Sequence, residues 1–146
     1  MTHAEVKGLW EGLNILIQYI AKNEIKNTYL SYGLKKNARI LEKATKLIQE
    51  STNPELIELE KKAYTAGEHL QEGLSDEAKA NSNPYPLGFQ TLTEEERAQH
   101  AELAKEYNEF LQKESDVKLY MLEFKEVQNT EMEWQPSSIL ENFIKD

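Results

Sequence analysis

Cysteine is absent from the 146 residues. That removes disulfide frameworks, thiolate nucleophiles and cysteine-based zinc or iron–sulfur sites. Glycine and proline are scarce, at six and four, and the glycines never cluster as a phosphate-binding loop or dinucleotide fingerprint requires. No serine stands in a tight glycine-flanked turn, so a nucleophile elbow is missing too. Nothing approaches the roughly 18 apolar residues of a membrane-spanning helix, and the first residues carry no signal-peptide pattern. These absences predict a cytoplasmic protein with no membrane association, no cofactor and no catalytic residue. The length suits a single α-rich domain over residues 1–146, because a chain of this size buries roughly two-thirds of its unfolded surface without a staple.

What is present is charge, unevenly spread. The formal net charge is −9, which argues against extended nucleic-acid binding, since that rests on a broadly basic surface. Residues 1–50 carry eight Lys/Arg and five Asp/Glu, whereas residues 51–146 carry nine and 21. Between Lys22 and Lys46 stand seven cations and only Glu24 and Glu42. A basic segment on an acidic body steers an anion to one place.

Hydrophobic periodicity predicts a mainly α fold. Thr2 with Glu5 forms a capping box, and Val6, Leu9, Trp10, Leu13, Leu16, Ile17 and Ile20 recur at helical spacing. Ile15 and Tyr19 widen that stripe beyond one neighbour. Gly8 and Gly12 suggest a close approach to this helix. Asn27 is placed to cap a second helix reaching Glu50, whose stripe of Leu30, Leu34, Leu41 and Ile48 contains Asn37. The short connection predicts a helical hairpin. Asn53 and Pro54 open a third helix that fades near Gly73, and within residues 75–92 the two prolines and glycine of Asn81–Gly88 preclude a continuous helix and make a loop-like stretch.

A second capping box, Thr93 with Glu96, opens a fourth helix with Ala101, Ala104, Tyr107, Phe110 and Leu111 on its buried face and an end near Glu114. These elements make an antiparallel, bundle-like arrangement. Val117, Leu119 and Met121 then alternate, so Val117–Val127 reads as a strand, the small β element near the C-terminus. Phe89–Leu92, or a second chain, is its candidate partner. After Pro136, Ser137 or Ser138 is placed to cap a final short helix.

Chemistry concentrates in Tyr29–Lys43. Tyr29 and Tyr32 supply stackable rings, Lys35, Lys36, Arg39 and Lys43 supply cations, and Asn37 supplies an amide. Rings beside cations suit a nucleotide or another phosphorylated ligand. The competing reading makes Tyr29 core, Asn37 a buried amide satisfying a backbone group, and the lysines a solvated face. Among the histidines, His100 stands four residues from Glu96, a spacing that places both on one helix face. One such pair is a surface contact rather than a metal site.

Tyr32–Arg39 (Tyr-Gly-Leu-Lys-Lys-Asn-Ala-Arg) opens the second helix, and Asp116–Tyr120 (Asp-Val-Lys-Leu-Tyr) precedes the short C-terminal helix. In this order of features the chain resembles a diffuse group of small α-helical proteins encoded by tailed bacteriophages and prophages. Tyr32, Lys36, Asn37, Leu119 and Tyr120 stand at the recurrent positions, and the proline-rich loop replaces the Gly-Asn or Asp-Gly turn of the group. With that resemblance, the small size, the acidic body, the basic-aromatic segment and the absence of catalytic machinery point to a non-enzymatic accessory protein in the host cytoplasm, with an anti-defence role. It would bind and neutralise a host factor, either a host protein or a small nucleotide-like anion. The alternative is a virion structural or assembly protein. A homo-oligomer is expected, because Trp10, Ile15 and Tyr19 exceed what one packed face needs.

Overall fold

The N-terminal helices begin and end where side chains take over the backbone's unmet hydrogen bonds. In the computed structural model, which describes residues 1–146, Thr2 Oγ1 accepts from the Glu5 N–H at 3.2 Å. The Glu5 carboxylate in turn accepts from the Thr2 N–H at 2.6 Å, so the expected capping box opens α1 (His3–Lys22). Asn23 closes α1 by donating from both its backbone and its side chain to the Tyr19 carbonyl. Asn27 Oδ1 accepts from the Leu30 N–H at 3.1 Å and so opens α2 (Thr28–Glu50).

Six further helices follow: α3 (Pro54–Leu70), α4 (Asp76–Ala80), α5 (Pro84–Phe89), α6 (Glu94–Leu111), α7 (Phe124–Val127) and α8 (Trp134–Glu141). The chain is therefore mainly helical, as the periodicity predicts. None of the helices is long and apolar enough to cross a membrane. The chain divides into two compact units, Met1–Glu50 with Leu111–Asp146, and Ser51–Phe110.

In the first unit α1 packs on α2 and α8, and α2 packs on α7. Val6, Leu13, Leu16, Leu30, Leu41 and Phe143 are wholly buried and make its centre. The close approach expected at the α1 glycines is absent: a Cβ on Gly12 would make only ordinary contact with the Ile139 side chain, at 3.4 Å, and Gly8 faces open space. The terminal segment is stitched on by backbone bonds, His3 N–H to Lys113 O at 3.1 Å and Ser115 N–H to Met1 O at 2.8 Å.

The expected strand does not form. Residues 115–121 run extended without a ladder, Leu122 makes a single bridge with Ile144, and Phe124–Val127 coils as α7. The apolar alternation was real, but it reflects an extended segment laid against α2. Phe89–Leu92, its proposed partner, instead ends α5 and turns. The last helix also starts earlier than expected, at Trp134. Pro136 lies in its first turn, where a missing N–H costs nothing.

In the second unit α3 and α5 lie backbone to backbone. A Cβ on Gly67 would collide with the Pro84 carbonyl, and one on Gly88 with the Ala63 carbonyl. Only glycine permits such an approach from both sides. α4, capped by Ser75, precedes the stretch Asn81–Gly88 expected as loop, and most of that stretch instead coils as α5, capped by Asn83 with Pro84 at its first position. Gln71 is buried where α3 ends and donates to Ser82 Oγ at 2.7 Å. The stripe expected on α6 is only half covered. Ala104, Tyr107, Phe110 and Leu111 are partly buried, Ala101 is exposed, and the helix stops at Leu111.

Candidate ligand-binding face on α2

The 23 residues of α2 divide sharply into a buried and a cationic side. Leu30, Leu34, Leu41 and Ile48 fill the core. Tyr29, Tyr32, Lys36, Arg39 and Lys43, spaced three and four apart, follow one exposed strip. Lys35 borders it. Tyr29 and Tyr32 are 64% and 56% exposed, so neither ring is core.

Asn37, expected to meet a ligand, is instead wholly buried. Its Nδ2 donates to the Tyr120 carbonyl at 2.8 Å, and its Oδ1 accepts from the Tyr120 N–H at 2.7 Å. One side-chain amide thus supplies both bonds that a neighbouring strand would give Tyr120. Its place in an apolar stripe signals a distant backbone group, 83 residues further along the chain.

That clamp completes the exposed face, because it fixes Tyr120 beside α2. The Tyr32 and Tyr120 rings meet edge to face, with centroids 5.6 Å apart and planes at 83°. Lys36 Nζ lies 4.6 Å from the Tyr120 centroid and 5.6 Å from that of Tyr32, within range of the ring quadrupoles. No carboxylate stands in ion-pair range of Lys26, Lys35, Lys36, Arg39 or Lys43. On a chain of net charge −9, unneutralised cations gathered at one helix make a local positive field. The sequence marks Tyr120 only through the resemblance and Lys26 only as one of seven cations; neither is placed in the site, because Tyr120 carries no local signal toward α2 and Lys26 precedes the helix.

A second polar cluster occupies the other unit. His100 Nε2 lies 3.1 Å from the Tyr85 hydroxyl and 3.4 Å from Glu60 Oε1, while the Phe89 ring stands edge-on to the imidazole at 5.1 Å. Burial, with the Glu60 charge second, pushes the Tyr85 phenol above its ordinary range. Glu96 is not the partner of His100, since it pairs with Lys62 at 2.6 Å. No group of three or more His, Asp and Glu is placed to hold a metal ion.

No protein-family model, curated protein or solved structure matches the chain.

Proposed function

We propose that this chain is a non-enzymatic binding protein that neutralises a host factor by holding a nucleotide-like anion on the exposed strip of α2. The observation that carries this reading is Lys36 poised over Tyr120 and beside Tyr32, among cations that no carboxylate neutralises. Rings give a base a stacking surface, and lysine and arginine give its phosphates charge-assisted hydrogen bonds. Small size, the basic-aromatic segment on an acidic chain and the resemblance to tailed-phage proteins at Tyr32, Lys36 and Tyr120 support an accessory role. Calorimetric titration of nucleotides is the test. The triple variant Lys35→Ala, Lys36→Ala, Arg39→Ala retains the fold, since all three residues are exposed, and loses binding. Unchanged affinity in that variant overturns the reading.

A second reading, self-association in a virion or its assembly, is favoured by Trp134, which is 84% exposed. Of the residues that motivate it, Ile15 is exposed, whereas Trp10 and Tyr19 are half-buried and the unpaired strand is absent. Light scattering distinguishes the two: an assembly that Trp134→Ala dissolves supports self-association, and a strict monomer removes it.

A further inference from the structure

The turn joining α1 to α2 brings two hollows side by side. One, of 430 Å3, is walled by Ile17, Ile20 and Leu34. The other, of 560 Å3, opens beside Tyr32 and is bordered by Asn27 and Thr28. Each volume falls within the roughly 300–1,000 Å3 of small-molecule sites. Ile25, Lys26, Ser31 and Lys35 line both hollows, so the two share a ridge bearing two cations and a hydroxyl. Lys26 and Lys35 are exposed and have no carboxylate in ion-pair range. The N–H groups of Leu30 and Ser31 are already taken by Asn27, which leaves anion recognition here to side chains.

We propose that this ridge is a phosphate subsite and that the paired hollows take a dinucleotide. The linking phosphate sits between Lys26 and Lys35 beside the Ser31 hydroxyl. One base enters the apolar hollow of Ile17, Ile20 and Leu34, and the other lies along the Tyr32 ring. A mononucleotide fills one hollow and leaves the other wet, and a single-chain alkyl phosphate uses only the apolar one. Glu24 also borders the apolar hollow. A carboxylate there accepts from the exocyclic amine of adenine or guanine and repels a second phosphate. The proposal rests on the reading of α2 as a nucleotide-binding face. It adds the size of the ligand and the place of its phosphate.

The test titrates the full chain with linear and cyclic diadenylate and diguanylate, and with AMP, GMP, inorganic pyrophosphate and dodecyl phosphate. Lys26→Ala, Lys26→Arg, Lys36→Ala and Arg39→Ala are compared, each checked for native circular dichroism. One of the dinucleotides is expected to bind at least about tenfold more tightly than its mononucleotide. Lys26→Ala is expected to weaken it at least about tenfold, as loss of a charged hydrogen bond does, and Lys26→Arg to restore most of that. Nucleotide binding that survives Lys26→Ala but falls in Lys36→Ala and Arg39→Ala overturns the subsite and leaves the broader reading standing. Mononucleotide, pyrophosphate or dodecyl phosphate binding as tightly as every dinucleotide overturns the two-hollow ligand. No nucleotide bound at all overturns both.

Discussion

The two units of the chain solve the problem of packing helices in opposite ways. In the unit of Met1–Glu50 and Leu111–Asp146, large side chains interdigitate and one buried amide holds an extended segment in place. In the unit of Ser51–Phe110, α3 and α5 approach until carbonyl groups occupy the space of absent side chains. Their charges differ as sharply. The first unit carries 12 Lys/Arg and 13 Asp/Glu, the second five and 13. Almost all of the net charge of −9 therefore belongs to the glycine-packed unit, and the cationic face lies on a nearly neutral one. An anion attracted to α2 meets little opposing charge from the unit that binds it.

The most severe way to break the comparison is at the glycines. An exposed helical Gly→Ala change ordinarily stabilises by about 1 kcal/mol. Gly67→Ala and Gly88→Ala should reverse that sign. Each sets a methyl group against a backbone carbonyl that cannot move without parting α3 from α5. A loss of about 4 kcal/mol or more is expected, in the range reserved for disrupted cores. Urea unfolding measures it, and amide exchange should localise it to residues 51–110. Gly33→Ala is the matched change in the first unit, where the obstacle is the Leu122 side chain, 2.7 Å from the added carbon. A side chain yields, so the expected cost is only about 1–2 kcal/mol. Equal losses at Gly67 and Gly33 would erase the distinction between the two packings.

Asn37→Ala comes next in size. It strands the N–H and carbonyl of Tyr120 together, and two unsatisfied backbone groups cost about 2–3 kcal/mol. It also frees Tyr120 from Lys36, so nucleotide affinity should fall although Asn37 touches no ligand. Thermal unfolding and titration on the same sample check both. Unchanged affinity in a folded Asn37→Ala protein would show that Tyr120 plays no part in the face.

Asn37 also marks how far the sequence could be read. The long helices, their capping boxes and the hairpin were legible because caps and apolar stripes are local signals. An amide inside the stripe of α2 announced a polar partner without naming it, since that partner lies 83 residues away. The alternation after Val117 was misread for the same reason. Period two reports an extended segment with one covered side, and a side-chain amide provides that cover as well as a strand does. The residues from Tyr29 to Lys43 were legible by their chemistry, but whether Tyr29 was core was not, and the structure leaves that ring exposed. The hollows beside Lys26 were not legible, because they depend on how the turn after Asn23 folds back.

The smallest effect sharpens the comparison in acid. Both units open a helix with a threonine–glutamate capping box, and in both the carboxyl is held below its ordinary range. For Glu5 the first cause is the Thr2 N–H. For Glu96 it is the Lys62 ammonium, with the Thr93 N–H second. A carboxyl with a depressed folded-state pKa stabilises fully above its unfolded value, near 4.5, and loses that contribution as pH falls through the folded one. Glu5→Gln and Glu96→Gln should therefore each flatten the fall in stability below that point. The Glu96 effect should shrink in high salt, because Lys62 is an exposed ion-pair partner. The Glu5 effect, resting first on a backbone hydrogen bond, should persist there. Melting curves at pH 3 to 7 in low and high salt separate the two. Equal salt sensitivity at both sites would mean that Lys62 adds nothing to the cap of α6.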